Sequence, residues 1–394
     1  MSFKLMPLFV TAGLLFGLVA ASPALAEVNV IRVELPGEGH QLLKTSKGKK
    51  VSIQGRAAIE VDGVVKQALP VELRTRGQSC LSAERRCIEL EFQEKVELPG
   101  VTGVKAKTFN LVSMWQDSGY ISTRLGFEMF RSLELFDLRT EYARLFINGE
   151  PQGLYLATEK PKRAIRRVVG EDSWVGRRSY GASVSTVDSA ESLKDSAAQA
   201  HFKAIYSDVQ NLSGDALLHS LREKMELGSY MDWILVNSLL MNGDFADEVY
   251  VYIDAKKKPH KLGIFPWDFD DLFKGPHPGE VHKARAEQFK TSLLYGFENP
   301  LDAKIADDQV LYFELSREAR ELFYRRIDEN MIRGVFARVR AALSPYVAYD
   351  DVRALGAKDS RHRAYQAEDF DKILKSREST TIGRLRELRR RLGR

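Results

Sequence analysis

The chain of 394 residues lacks several features that would assign it to a class at once. It has only two cysteines, no internal repeat and no glycine-rich nucleotide-binding fingerprint. Its acidic and basic residues nearly balance, at a formal net charge of +5, which does not point to a nucleic-acid partner. Beyond the N-terminus no stretch is apolar enough to span a bilayer. We therefore expect no nucleic-acid partner, and no integral membrane segment once the N-terminus is removed.

The N-terminus has the features of a secretory signal peptide. Lys4 supplies a positive charge, an apolar run follows over residues 5–21, and Ala24 and Ala26 form the small-residue pattern that signal peptidase cleaves. An uncleaved membrane anchor is the alternative, but the run is shorter than the roughly 20 residues that a spanning helix needs. We predict a signal peptide over residues 1–26 and export to the periplasm or out of the cell.

The two cysteines, Cys80 and Cys87, lie close together in the exported part. In an oxidising compartment such a pair most simply forms a disulfide that closes a small loop. A metal or redox pair is the alternative, but the spacing is not Cys-x-x-Cys and no histidine cluster lies nearby. We predict a structural disulfide between them.

Hydrophobic periodicity divides the chain into a β-rich and a helical part. Strands are predicted at 28–33, 51–54, 58–61, 71–74, 88–92 and 107–112, a helix at 122–135, and a hairpin over 142–159 with Asn148-Gly149 at its turn. Residues 183–200 read as a loop followed by a helix, 230–241 as a helix, and the chain from about 313 onward as helical. We predict an α+β fold with a β-rich first lobe over 27–165 and a mainly helical second lobe over 166–394.

The basic end of the chain, residues 384–391, has two interpretations. It is either a basic surface that contacts a membrane or polyanion, or the solvated face of a helix, which is the commoner case.

A second hairpin, with strands at 249–254 and 261–266, brings acidic residues together. In an antiparallel pair, the residues before the first strand lie beside those after the second. Those before it are Asn242, Asp244, Asp247 and Glu248, and those after it are Asp268, Asp270 and Asp271. Packed carboxylates repel one another unless they hold a cation, and Mg²⁺ needs few carboxylates when phosphate oxygens supply other ligands.

In protein kinases a catalytic-loop Asp likewise precedes a short hairpin and a metal-binding Asp follows it. Ordinary turn and cap residues are the alternative reading. His260, His277 and His282 flank the acidic motif and are weaker candidates for metal ligands.

Several motifs occur in the chain in an order that resembles one protein family. They are Arg74-Thr75-Arg76-Gly77-Gln78-Ser79, then Asn148-Gly149 with Gly153, Tyr155 and Glu159, then Asn242-Gly243-Asp244, then Trp267-Asp268-Phe269-Asp270, and finally Ile373-Leu374-Lys375-Ser376-Arg377. From about residue 70 to 380, the chain thereby resembles the CotH family of atypical, secretory-pathway-type kinases.

The resemblance implies a two-lobed kinase-like fold and ATP-dependent phosphoryl transfer to Ser or Thr of a protein acceptor. It implies that Asp244 orients or deprotonates the acceptor hydroxyl and that Glu159 pairs with a basic residue in the first lobe. The implied ligands of Mg²⁺ or Mn²⁺ are Asp268, Asp270 and Glu248, and the implied phosphate contacts are Arg74, Arg76 and Arg86.

Two departures from the family pattern leave a second function open. Arg85-Arg86 stands where the family usually has Lys, and Arg is not equivalent to Lys as a point charge on phosphate. Asp247-Glu248 stands where the family often has Asn. The alternative is a non-catalytic envelope binding or structural protein that keeps the fold. A metal-dependent hydrolase is a third reading, for which no nucleophile–base pair is visible.

Overall fold

The structure is a computed structural model that describes residues 28–61, 64–97, 105–117, 119–179, 181–245, 249–276, 285–356 and 364–393. The predicted signal peptide lies outside the described residues. Within the described ranges, no helix is both long and apolar enough to cross a membrane.

The first part of the chain forms an eight-stranded sheet that closes on itself. Its strands are β1 (Asn29–Glu34), β2 (Ser52–Val61), β3 (Val64–Val65), β4 (Leu69–Arg76), β5 (Cys87–Val96), β6 (Ala106–Val112), β7 (Thr140–Ile147) and β8 (Glu150–Glu159). Their order is β1-β7-β8-β6-β5-β4-β2-β3, and β1 also pairs with β2, so that all strands but β3 form a continuous ring. Strand β1 runs parallel to β7, and the other pairs are antiparallel. Alternate side chains point inward, and the aliphatic ones among them form a closed core.

The predicted strands at 51–54 and 58–61 are one strand, β2. Gly55 interrupts the alternating pattern in the sequence, yet its backbone stays in the ladder opposite Val71. A side chain at this position would overlap the carbonyl oxygen of Glu34, so the closure of β2 onto β1 requires glycine.

The predicted hairpin at Asn148-Gly149 is confirmed. Both residues have positive φ, 50° and 77°, as a tight reversal between β7 and β8 requires. The Asn148 amide also exchanges hydrogen bonds with the backbone of Leu35, at 2.7 and 3.0 Å, which ties the turn to the end of β1.

The second part of the chain combines a four-stranded antiparallel sheet with most of the helices. The sheet has the order β10 (Val184–Asp188), β9 (Ser173–Arg178), β11 (Tyr250–Asp254) and β12 (Leu262–Phe265). The α-helices of the described residues are α1 (Gly37–Thr45), α2 (Ser122–Ser132), α3 (Pro161–Val168), α4 (Asp195–Asn211), α5 (Gly214–Lys224), α6 (Leu227–Leu239), α7 (Ala286–Phe289), α8 (Pro300–Asp307), α9 (Gln309–Glu321), α10 (Glu329–Val347), α11 (Asp350–Leu355) and α12 (Ala367–Leu392). The prediction of a mixed α+β protein, β-rich first and helical later, is confirmed.

One segment differs from its predicted structure. Residues 184–188 form the edge strand β10 rather than a loop, because they pair with the buried strand β9. The segment is polar and half-buried, so its own sequence carries little strand signal.

Of the C-terminal arginines, Arg386 and Arg390 are exposed, as a solvated helix face predicts, whereas others bind the protein's own backbone. Arg384 is buried and donates to the carbonyl of Ser238 at 3.2 Å. Arg389 donates to the carbonyls of Phe323 and Ile327 at 2.7 and 3.0 Å. These arginines fasten α12 to neighbouring backbone segments, since a guanidinium satisfies carbonyls that helix ends leave unpaired.

Candidate active site

A cleft of about 620 Å³ lies between the β4–β5 connection of the closed sheet and the acidic segment after β12. One side is formed by Arg76, Gly77, Gln78, Ser79, Cys80, Cys87, Val112, Met114, Trp115, Gln116, Thr123 and Phe127, and the other by Asp244, Trp267, Asp268, Phe269, Asp270 and Asp271. Three separate sequence motifs thus meet in one cavity.

The β11–β12 hairpin sets the position of the acidic residues. Its strands pair antiparallel, with Tyr250 opposite Phe265, and β11 is held on its other edge by β9. Beyond the strands the two chain segments remain in contact, because Gly243 donates its backbone N–H to the carbonyl of Asp271 at 3.1 Å. The structure therefore brings together the two acidic stretches that the sequence predicts to be neighbours.

Asn242 joins these two stretches through its side chain. Its amide Nδ2 donates to the Asn237 Oδ1 at 2.9 Å and to the carbonyl of Asp268 at 3.1 Å. Its Oδ1 accepts from the backbone N–H of Asp244 at 3.3 Å. Asn237 in turn donates to the carbonyl of Trp233, one turn earlier in α6. Because Asn237 and Asn242 are fully buried, this chain of hydrogen bonds fixes both acidic segments to the end of a core helix.

The backbone is tightly constrained around the acids. A side chain at position 243 would overlap the carbonyl oxygen of Gly275, which explains the glycine in Asn242-Gly243-Asp244. Asp268 has φ 58°, in the left-handed region that non-glycine residues rarely adopt. Such conformations persist where surrounding structure enforces them and concentrate at functional sites.

Trp267 and Phe269 anchor the acidic motif while the aspartates between and after them line the cleft. Phe269 is fully buried and packs on Phe127 and Phe130 of α2, with ring centroids 5.0 and 5.5 Å apart. It lies so close to α2 that any side chain at Gly126 would overlap its ring. The guanidinium of Arg76 lies 5.9 Å from the centre of the Trp267 ring. Alternation of apolar anchors and acids thus aims the carboxylates at the cavity.

The loop that follows Arg76, the last residue of β4, contains the predicted disulfide between Cys80 and Cys87, which is confirmed with Cα atoms 5.9 Å apart. Gly77 has φ 86° and a side chain there would lie 2.7 Å from the Cys80 sulfur. The disulfide and the glycine together hold the loop against the cleft.

Arg74 and Arg86 face other parts of the molecule. Arg74 is engaged by three carboxylates, those of Glu72, Glu89 and Glu91, and its hydrogen bond to Glu72 raises its pKa. Arg86 is buried and donates to the Ser46 hydroxyl at 2.9 Å, and this burial lowers its pKa. Of the three arginines expected near phosphate, the structure brings Arg76 to the cleft.

Glu159 lies at the end of β8, away from the cleft lining. Its buried carboxylate accepts from the guanidinium of Arg167 in α3 and from the backbone N–H of Arg139 at 2.9 Å. Its basic partner therefore comes from the helix that follows β8 rather than from an earlier strand of the closed sheet.

The remaining candidate metal ligands divide into two groups. Glu248, Asp247, His277 and His282 lie outside the described residues. His260 lies in the β11–β12 turn, at the opposite end of the hairpin from the acids, and contacts Lys258. In the described part of the chain, no three His, Cys, Asp or Glu side chains converge closely enough to hold a metal ion by themselves.

Three residues at the rim of the cleft were not found from the sequence. Trp115 lines the cavity and stays 43% exposed, and Gln116 beside it accepts from the ammonium of Lys274 at 2.8 Å. Lys274 also pairs with Asp271 three residues earlier. The spacing Asp271-x-x-Lys274 was the one signal in the sequence for the pairing of these two residues. Nothing in the sequence places residue 116 opposite residue 274.

Comparison with known proteins gives the class. A family model described as CotH kinase protein matches residues 73–371, more than half of the chain. The protein belongs to the CotH kinase family, as its motifs indicate.

Solved structures resemble the chain only distantly. The Helicobacter pylori proinflammatory kinase CtkA is similar at 10% sequence identity, over 85% of this chain and 92% of that one, with a TM-score of 0.31. A Shewanella oneidensis MR-1 structure of the toxin–antitoxin system HipA, HipB and its operator DNA is similar at 11% identity, over 74% of this chain and 65% of that one, with a TM-score of 0.32. No curated protein matches the chain significantly.

Proposed function

We propose that the protein is an exported, metal- and ATP-dependent phosphotransferase that acts on Ser or Thr of a protein, or on another acceptor of the cell envelope. One observation carries the proposal: Asp244, Asp268 and Asp270 share a cleft with Arg76. Membership in the CotH kinase family supports phosphoryl transfer as the reaction. The two lobes of such an enzyme would be residues 27–165 and 166–394, with the cleft between them.

The donor set of the cleft suits a hard divalent cation. Its carboxylates offer oxygen ligands only, and Mg²⁺ in nucleotide sites is held by one or two carboxylates together with phosphate oxygens and water. We assign Asp268 and Asp270 as its protein ligands, and Mg²⁺ or Mn²⁺ when bound would neutralise charge on the phosphates.

The other residues would bind and orient the reactants. Asp244 would accept a hydrogen bond from the acceptor hydroxyl and take its proton as the oxygen attacks the phosphoryl group. Arg76 would bind two phosphate oxygens with its planar guanidinium, which lies against the Trp267 ring at the cleft. Asn242 would keep Asp244 and the Asp268 backbone in register.

The disulfide and the sequence of the N-terminus support export. A disulfide that lines the cleft requires an oxidising compartment to form and persist. The acceptor would therefore be an exported protein or another component of the envelope.

Radiolabel transfer from [γ-³²P]ATP tests the proposal. With Mg²⁺ or Mn²⁺ and envelope extract as acceptor, the wild type should label a product, and Asp244→Asn and Asp270→Asn should each lower labelling at least about a hundredfold. Asp254→Asn is the matched control, because Asp254 ends β11 at the end of the hairpin far from the cleft, where it pairs with Lys257. Equal labelling by the wild type and both cleft variants would refute the proposal.

A non-catalytic binding protein is the second candidate, and one observation favours it. Arg85, in the Arg85-Arg86 pair that stands where the family usually has Lys, makes structural contacts: its guanidinium donates to the Tyr120 hydroxyl at 2.9 Å and to the carbonyls of Ser113 and Leu154. A metal–nucleotide complex that raises the melting temperature without any label transfer would support this candidate, since a ligand that binds only the folded state stabilises it.

A further inference from the structure

Negatively charged side chains outnumber positively charged ones among the described residues that line the cleft. Among these described residues, four carboxylates, those of Asp244, Asp268, Asp270 and Asp271, stand against the guanidinium of Arg76. A triphosphate adds several negative charges to this set, and a divalent cation compensates only part of them. A phosphate-binding cleft of this composition needs a further cation from the protein.

The arginines nearest to Arg76 in the chain do not supply this additional positive charge. The guanidinium of Arg85 donates to backbone carbonyls and lies 5.1 Å from the centre of the Tyr120 ring. Arg86 binds Ser46, and Arg74 is held by three glutamates. Each guanidinium would have to leave buried or multiply paired acceptors to reach phosphate.

Lys274 brings an ammonium to the cleft from the opposite side. Its Nζ donates to Gln116 Oε1 at 2.8 Å and pairs with the carboxylate of Asp271. Both partners line the cavity, one on each side, while the Lys274 side chain itself is 39% exposed. An ammonium has three N–H donors, and the described residues engage two of them.

Hydrogen bonds fix the backbone at Lys274, so the position from which its side chain extends is well defined. The Tyr295 hydroxyl donates to the Lys274 carbonyl at 3.1 Å. The preceding residue, Phe273, donates its N–H to the carbonyl of Leu240 at 3.2 Å, and its ring lies under the Arg377 guanidinium at 4.6 Å. Only the lysine side chain has to rotate to exchange the Gln116 amide for a stronger, charged acceptor.

We infer that Lys274 is a second phosphate-binding cation of the cleft, which contacts the phosphates of a nucleoside triphosphate while it remains paired with Asp271. This inference rests on the proposed function, because it assumes that the cleft takes a nucleotide. Lys274, which follows the acidic motif, would then supply the positive charge that a Lys near position 86 usually supplies in the family.

Equilibrium binding of Mn²⁺–ATP, Mn²⁺–ADP and adenosine, measured by titration calorimetry, tests the role of this charge. Lys274→Met keeps the length of the side chain but not its charge, and should weaken Mn²⁺–ATP binding at least about tenfold, with a smaller effect on ADP and none on adenosine. Lys274→Arg should retain most of the affinity. Lys290→Met is the matched control, because Lys290 forms the same three-residue pair with Glu287 on an exposed surface.

Gln116→Leu separates a phosphate contact from a simple tether across the cleft. This variant removes the lysine's neutral partner and leaves its charge, so Mn²⁺–ATP affinity should stay at the wild-type value or rise. Equal losses in Gln116→Leu and Lys274→Met, or wild-type affinity in Lys274→Met, would overturn the inference and leave the proposed function intact. A wild type that binds no nucleotide with either metal would remove the proposed function and the inference together.

Discussion

Replacement of Asn242 by Ala tests whether one buried amide holds the two acidic stretches together. The side chain is fully buried and makes three hydrogen bonds, to Asn237, to the carbonyl of Asp268 and from the N–H of Asp244. Each is worth about 1 kcal/mol net, and acceptors left without a donor in the interior add to the cost. We expect Asn242→Ala to lower the free energy of unfolding by about 3 kcal/mol, which is a large share of the typical 5–15 kcal/mol.

Equilibrium urea unfolding, followed by circular dichroism and tryptophan fluorescence, measures this effect. Asn242→Asp is a sharper variant of nearly the same shape. It replaces the two N–H donors by oxygen, which would then face the Asn237 and Asp268 oxygens, and it should destabilise at least as much.

Asn211→Ala is the control, because Asn211 is an exposed asparagine that bonds only within its own helix and should cost under about 0.5 kcal/mol. A loss below about 1 kcal/mol in Asn242→Ala would refute the bridge as the element that positions the acids.

Two further predictions follow from packing and from burial. Gly126→Ala places a methyl group into the Phe269 ring and should lower the free energy of unfolding by about 1–3 kcal/mol through overpacking. Gly383→Ala, at an open position inside α12, is the control and should raise the free energy of unfolding by about 0.5–1 kcal/mol. Thermal unfolding of both variants measures the difference, and an unchanged stability of Gly126→Ala would contradict the contact. Burial raises the pKa of Asp302 from 3.8 to about 6. Between these two values the folded protein keeps a proton that the unfolded chain releases. The free energy of unfolding therefore falls as the pH rises from 3.8 to about 6. Asp302→Asn should flatten the slope of the unfolding free energy against pH. This expectation holds even if the loss of a charge beside Arg178 changes the absolute stability. An unchanged slope would show that Asp302 does not titrate in this range.

Several parts of the fold were predictable because their determinants are local. The Asn148-Gly149 turn needs only residues that tolerate positive φ, and the alternation in 88–92 needs only one buried face of a strand. The two cysteines could be paired because seven positions separate them and they have no competitor. For the same reason, an antiparallel hairpin between two acidic stretches was enough to predict that Asp244 lies near Asp268 and Asp270.

The sequence also indicated the family, because the order and spacing of its motifs match the family pattern. What it could not assign was the partner of each charged residue. Arg74, Arg76 and Arg86 look alike in the chain, but alternation along β4 turns Arg74 and Arg76 towards the same face and cannot say which acceptors lie there. The carboxylates of Glu89 and Glu91 on the neighbouring strand β5 engage Arg74, while Arg76 meets the Trp267 ring.

Local pattern alone therefore determined the β-rich and helical parts, the disulfide and the acidic hairpin, and it predicts export. Tertiary structure alone decided that the sheet closes through β1 and β2, that Arg384 and Arg389 bind backbone carbonyls, and that Lys274 meets Gln116 across the cleft. The physical reason is the range of the interactions. Turns, strand alternation and short loops are set by neighbours in sequence, whereas hydrogen-bond and charge partners are set by whichever distant groups the packed chain brings within about 3 Å.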